Sequence, residues 1–439
     1  MSKRFARLGA MSRLAALIML AILFLGFRGS GMPQSQAPAP LPDRVIALEP
    51  GWSLTVQRTF SERVTALAIA GPDVRREAHL EGVVFVGTGG PNGTVLRYQS
   101  RLPQGEILIG EGLGDHLNFG VCAVNHLEVR DIDRNGPPEL LAQTCQISPM
   151  GRPRLYVWDI GFPPALRSVV RPEIASSWSH GLAFFPPSSG LGPTRIFSTF
   201  CGHGEVVEFR LDEGARRDGF RREAITWKQA SQLPASGEQA ESADLDRDGV
   251  PELVLAAGFA PNAAAIHVMN VGAGRERAST RFVVEEGRRF GNVRFLIGDL
   301  VGDGSREMIA WWCQDLAGGP CEMIRYRFGP DGVLDRNLLG VGVGLWPDDG
   351  QAVLADAEGN DRPLVWFVSR DGGLWTYDPS GPARIHRLGR LAGPIGPLSP
   401  YTDGLGPGLL IGWGNSVVRL TRERPDPASS AGPIATHAE

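Results

Sequence analysis

Along most of this chain apolar residues come in short runs, rich in β-branched and aromatic types and cut off by Gly, Pro or Asp. Val83–Thr88, Leu182–Phe185 and Arg195–Phe200 are examples, each too short for a helix and bounded as strands are. Apart from an N-terminal segment, no long apolar stripe follows the helical period. One unit recurs: an apolar strand, an acidic turn containing Gly, then a second apolar strand. Its clearest copies span 131–142 and 244–255, a weaker copy spans 299–310, and a fourth at 356–366 ends on Leu364 in place of an acid.

Three further units, at 64–98, 180–209 and 395–420, keep the strand pattern without the acidic turn. Third strands follow, such as Arg154–Trp158, Ala265–Met269 and Gly373–Tyr377. Seven units between residues 60 and 423 repeat about every 50 residues, within the range for propeller blades. The expectation is an all-β fold, a seven-bladed β-propeller over 45–423, with the segment Val45–Val56 supplying an outer strand that closes the ring. An array of β-sandwiches is the structural alternative.

Composition agrees: 57 Gly and 34 Pro, with only 21% charged residues, suit many short strands and tight turns rather than helical bundles. The formal net charge is −4 with both signs interspersed, so no basic face stands ready for phosphates and nucleic acid is not an expected partner. At the N-terminus Lys3, Arg4, Arg7 and Arg13 precede an apolar run from Leu14 to Phe27. That run matches a secretory h-region and is shorter than the roughly 20 residues of a comfortable span. Residues 1–31 therefore read as a signal peptide or an uncleaved signal anchor, which would tether the chain to the membrane. The body is expected to be exported, to the periplasm, cell envelope or exterior. Residues 32–44 read as a Pro-rich linker and 424–439 as a disordered tail.

Five cysteines in an exported chain suggest disulfides with one thiol left over. Cys313 and Cys321 flank a Gly-Gly-Pro turn that would bring two antiparallel strands face to face, and Cys122 and Cys145 lie at similar distances on either side of the Asp131 loop. The alternative is that all five are buried thiols.

In the best loop Asp244, Asp246 and Asp248 alternate, Gly249 turns the chain and Glu252 returns an acid. Alternating acids in a tight turn direct carboxylates to one side, as a hard cation such as Ca²⁺ requires. The loop is not an EF-hand, because position 12 is Leu255 here and Ala142 or Ala310 in the other copies, and its flanks are strand-like.

In these acidic loops the chain resembles the FG-GAP/VCBS repeat family, the propeller type of integrin α-subunits. The repeat pattern covers residues 60–423, though the family's Phe-Gly and Gly-Ala-Pro flanks are largely eroded. The resemblance implies Ca²⁺ held by side chains at loop positions 1, 3, 5 and 9 and a carbonyl at 7. The matching residues are Asp131, Asp133, Asn135, the Pro137 carbonyl and Glu139, and then Asp244, Asp246, Asp248, the Val250 carbonyl and Glu252. Asp299, Asp303 and Glu307 match positions 1, 5 and 9, but Val301 replaces the third ligand and that site is expected to be weak or empty. About two structural Ca²⁺ sites are expected.

The rim opposite these loops would carry His116, Asn118, Trp178, His180, Cys201, His203, Asn262, Asn292, Gln314 and Trp413. Of these His116, Trp178, His180 and His203 are candidates for ligand binding, although no spacing typical of a metal or nucleophile site joins them. Solvated loop histidines are the plainer reading. Two functions follow: a binding or adhesion module whose rim takes a protein or carbohydrate ligand, or a carbohydrate-active lyase or dehydratase using His180 and His203. The second comes from the resemblance, since some VCBS-type propellers belong to such enzymes.

Overall fold

Strands that are apolar at every position need a partner on both faces, and the architecture provides one. In a computed structural model the described residues lie within 48–423, excluding 71–79, 81, 91–92, 100–105, 112, 114–123, 135, 145–153, 162–163, 171–180, 187–193, 200–203, 213–223, 234–235, 259–263, 273–277, 288–289, 315–318, 344, 346–351, 370, 382–384, 394 and 404–405. The N-terminal apolar segment, the Pro-rich stretch, the C-terminal tail and Cys122, Cys145 and Cys201 therefore lie outside them.

The described chain contains no helix and forms seven four-stranded sheets. It enters through β1 (Trp52–Thr59) and then builds six sheets in sequence order. Blade 1 is β2 (Val64–Ile69), β3 (Val83–Thr88), β4 (Val95–Gln99) and β5 (Ile107–Gly110). Blade 2 is β6 (Val124–Arg130), β7 (Glu139–Thr144), β8 (Arg154–Asp159) and β9 (Ala165–Val170). Blade 3 is β10 (Ala183–Phe185), β11 (Arg195–Thr199), β12 (Glu205–Asp212) and β13 (Ala224–Gln232). Blade 4 is β14 (Ser236–Ala243), β15 (Glu252–Gly258), β16 (Ala265–Asn270) and β17 (Ser279–Val284). Blade 5 is β18 (Asn292–Gly298), β19 (Glu307–Cys313), β20 (Pro320–Gly329) and β21 (Gly332–Val343). Blade 6 is β22 (Val353–Ala355), β23 (Leu364–Val368), β24 (Gly373–Tyr377) and β25 (Ile385–Arg390).

Blade 7 takes β26 (Ile395–Asp403), β27 (Gly406–Trp413) and β28 (Ser416–Arg422), and its fourth strand is β1, antiparallel to β28 from Trp52 opposite Arg422 to Thr59 opposite Ser416. The molecule is a seven-bladed β-propeller. The closing strand overlaps the expected Val45–Val56 segment only at its end and runs on to Thr59.

Seven buried apolar clusters fill the spaces between consecutive blades, the last joining blade 7 to blade 1 through Tyr401, Leu410, Val417, Val64 and Val84. The period of two divides each second strand between two neighbours. On β15, Leu253, Leu255 and Ala257 face blade 3 while Val254 and Ala256 face blade 5. On β19, Met308, Ala310 and Trp312 face blade 4 while Ile309, Trp311 and Cys313 face blade 6. A large apolar side chain buried this way stabilises by roughly 1.5–3 kcal/mol, so each of these strands must stay apolar along its length. That radial order excludes a row of sandwiches.

Inner strands are tied to one another by side chains. Ser242 Oγ donates to Phe184 O at 2.8 Å, while the Gln239 amide donates to Phe295 O at 2.8 Å and accepts from Phe295 N at 3.1 Å. Cys313 and Cys321 stand opposite each other on β19 and β20 and are joined as a disulfide, with Cα atoms 4.1 Å apart.

Candidate metal centres

Four connections between a first and a second strand share one backbone design. The aspartate at the first loop position accepts the N–H of the sixth residue: Gly136 N to Asp131 and Gly249 N to Asp244 at 3.0 Å, Gly304 N to Asp299 at 3.0 Å, and Asp361 N to Asp356 at 2.9 Å. In three of them the fifth residue accepts from the seventh: Val250 N to Asp248 Oδ1 at 2.7 Å, Ser305 N to Asp303 Oδ1 at 2.8 Å and Arg362 N to Asn360 Oδ1 at 3.0 Å. This tight winding puts the fourth and sixth residues in the left-handed region. Arg134 (φ 61°) and Arg247 (φ 65°) stand at the fourth position where the other two loops have Gly302 and Gly359. Asp361 (φ 60°) takes the sixth position, glycine elsewhere. Among the described residues these are the three non-glycines with positive φ, each costing roughly 1 kcal/mol or more.

In blades 2 and 4 the turn focuses acids. Asp131, Asp133 and Glu139 form one group and Asp244, Asp246 and Glu252 another, with one oxygen from each residue within 4.8 Å of the others. The glutamates open the second strands, only 2% exposed, and accept the N–H of the second loop residue: Ile132 at 2.9 Å and Leu245 at 3.0 Å. Burial pushes the Glu139 carboxyl up to about 8, with Asp133 and Asp131 adding to it and the Ile132 N–H and Arg167 opposing. Glu252 is raised for the same first reason, burial. Pro137 and Val250 are exposed at the loop apex, as is Asp248, and Asn135 lies outside the described residues.

A divalent cation fits this donor set. All the focused donors are oxygens, and the Asp244 Oδ1 atom is buried with no hydrogen-bond partner while Oδ2 holds Gly249. Desolvating a carboxylate oxygen without a partner is costly, and an ion coordinated at about 2.3–2.6 Å would supply the missing interaction. Asp131, Asp133 and Glu139, and Asp244, Asp246 and Glu252, are the residues that would hold it.

Two arginines that the reading of the sequence passed over also belong to these centres. Arg167 Nη1 lies 2.7 Å from both Asp133 Oδ2 and Glu139 Oε1, and 3.6 Å from Asp159. Arg281 Nη2 lies 2.5 Å from Asp246 Oδ2 and its Nη1 2.7 Å from Glu252 Oε1. Both come from the fourth strand of their own blade. On β9 the register jumps from Ser168 opposite Val157 to Leu166 opposite Trp158, and on β17 from Phe282 opposite Val268 to Thr280 opposite Met269. Arg167 and Arg281 are thus the extra residues of two equivalent β-bulges, a device that re-aims a side chain. Only the short repeat Arg-x-Val-Val, at 167–170 and 281–284, hints at the equivalence.

The Asp299 loop keeps the backbone bonds, but its carboxylates form no third group among the described residues. Asp303 is occupied by Ser305, and Glu307, 1% exposed and raised by burial, has Arg325 at 3.3 Å and Arg327 at 3.4 Å. In the Asp356 loop Leu364 ends the set. At the opposite rim Asn292 is buried at the start of β18, Gln314 is exposed after β19, and Trp413 is buried at the end of β27 with Nε1 donating to Ala392 O. His116, Asn118, Trp178, His180, Cys201, His203 and Asn262 lie outside the described residues. A scan against protein-family models and a search of curated proteins find no match to this chain.

Proposed function

We propose that the chain is an exported, calcium-stabilised propeller of the FG-GAP/VCBS type, acting as a binding or adhesion module of the cell envelope. One observation carries the reading: two loops at equivalent places in blades 2 and 4 each focus three carboxylates, and in blade 4 the Asp244 Oδ1 atom is buried and unpartnered. The ion's part is structural. It neutralises a crowded acidic turn, fixes the step from first to second strand, and stabilises the folded blade by binding it alone. The opposite rim, which carries none of these loops, is the surface offered to a protein or carbohydrate ligand.

The test is the ion content and melting of the purified full chain. About two Ca²⁺ per chain and a melting temperature that falls on adding chelator are expected. Ion-free protein whose melt ignores both chelator and added Ca²⁺ would sink the calcium reading. For the rim, labelled protein should bind isolated envelopes without turning over their polysaccharides. Turnover would move the assignment to a lyase or dehydratase.

A further inference from the structure

We propose that Arg281 and Arg167 are resident counter-cations of the two acidic loops, displaced when a divalent ion binds, so that ion and guanidinium hold the same carboxylates in turn. This rests on the reading of the loops as cation sites. In blade 4 both oxygens of two acids are already engaged. Asp246 gives Oδ2 to Arg281 at 2.5 Å and Oδ1 to Asp248 N at 3.1 Å, while Glu252 gives Oε1 to Arg281 at 2.7 Å and Oε2 to Leu245 N at 3.0 Å. The guanidinium does not reach Asp244 Oδ1, which stays without a partner.

An ion completing Asp244 must therefore draw on oxygens that the arginine holds. A divalent ion and a guanidinium on the same two oxygens would stand a few ångströms apart, where like charges repel strongly in a partly desolvated site. The arginine is the group able to leave. The Arg281 side chain is 20% exposed and Arg167 13%, whereas the Glu252 and Glu139 side chains are 3% and 2% exposed.

Among the described residues the arrangement is built in these two loops and in neither of the other acidic ones: Glu358, third in the Asp356 loop, meets Arg422 of blade 7 instead. Each arginine is the extra residue of a bulge in the fourth strand, paired with an acid at the third loop position. Blade 5, with Val301 at that position, has no bulge there: Arg336 and Asn337 on β21 follow without a break opposite Tyr326 and Arg325. Its Glu307 is served instead by Arg325 and Arg327 of β20. Arg281 Nη2 also donates to Pro330 O at 2.6 Å, in the turn between β20 and β21. Ion binding at blade 4 would thus release a tie to blade 5.

Calcium affinity of the full chain, measured by titration against a chromophoric chelator at fixed ionic strength, tests this with Arg281→Gln and Arg281→Lys. The glutamine variant should bind Ca²⁺ about tenfold more tightly. It should also melt lower in chelator and match the parent when saturated with Ca²⁺, while the lysine variant keeps parent-like affinity. If the parent binds and the glutamine variant binds equally or more weakly, the exchange is wrong and the cation site stands. If neither binds, both fall. Should the variants not fold, hydrogen exchange of the parent decides. Residues 331–334 should exchange faster with Ca²⁺ than without, and unchanged or slower exchange in the loaded protein overturns the proposal.

Discussion

Blades 4 and 5 carry the same turn with different chemistry. Both wind the fourth and sixth residues left-handed, and both bury a glutamate at the start of the second strand. In blade 4 three acids converge and an arginine from the far strand meets two of them. In blade 5 the acids stay apart and the buried glutamate takes its cations from the adjacent strand. The turn's hydrogen bonds are thus separable from the convergence of acids. What persists is a buried charge that needs an opposite partner. Blade 3 makes the same point with the signs exchanged: Arg195 opens its second strand and meets Glu208, fully buried on β12, at 2.7 Å.

The harshest way to break the comparison is to remove the glutamates. Glu252→Ala leaves the buried Leu245 N–H without its acceptor and takes one of two carboxylates from Arg281. It should cost about 3–5 kcal/mol in a urea titration without metal, at roughly 1.5–3 kcal/mol for each charge-assisted hydrogen bond. Glu307→Ala should cost less, because the Glu307 carboxylate accepts no backbone N–H among the described residues and meets Arg325 and Arg327 only at 3.3 and 3.4 Å. Equal losses would mean that the two blades do not differ as described.

Calcium comes next. At a concentration a hundred times its Kd it should raise stability by about 2.7 kcal/mol per site. Asp244→Asn should diminish the gain and Asp299→Asn leave it intact, read as chelator-dependent shifts in melting temperature.

The metal-free protein should also respond to pH. Burial raises Glu139 to about 8 and raises Glu252 and Glu307, so the folded state favours their protonated forms. That contribution is complete below about 4.5 and is lost as pH rises through the folded values, at most about 1.4 kcal/mol per pH unit for each proton. Metal-free melting temperature should therefore fall between about pH 5 and 8, with a shallower fall in Glu252→Gln. The smallest effect concerns the backbone. Arg247→Gly should stabilise by up to about 1 kcal/mol and Gly302→Arg destabilise by a similar amount, since the fourth position is left-handed in both loops.

The blades were legible because radial packing buries both faces of each second strand, so Leu253–Ala257 reads as one apolar run between turn signals. The acidic loops were legible because their donors follow one another within nine positions. Arg167 and Arg281 were not, since a bulge in a distant strand aims them and no local pattern reports a skipped register. Nor was the swapped pair of Arg195 and Glu208, whose residues sit in different strands with no acidic turn between them. The closing strand was legible as an extra strand before the first unit, but its bounds were not, because they are set by β28 at the other end of the chain.

That last pairing has a consequence for the order of assembly. Ser53 meets Thr421 across a sequence separation of 368 residues. A chain made or threaded from its N-terminus presents β1 long before its partner exists, with Trp52 and Leu54 lacking the cluster they later join. Contacts between such distant segments form slowly because the loop entropy must be met first. The growing protein is thus an open ring with two unsatisfied edges, vulnerable to pairing with a second copy until Arg422 arrives.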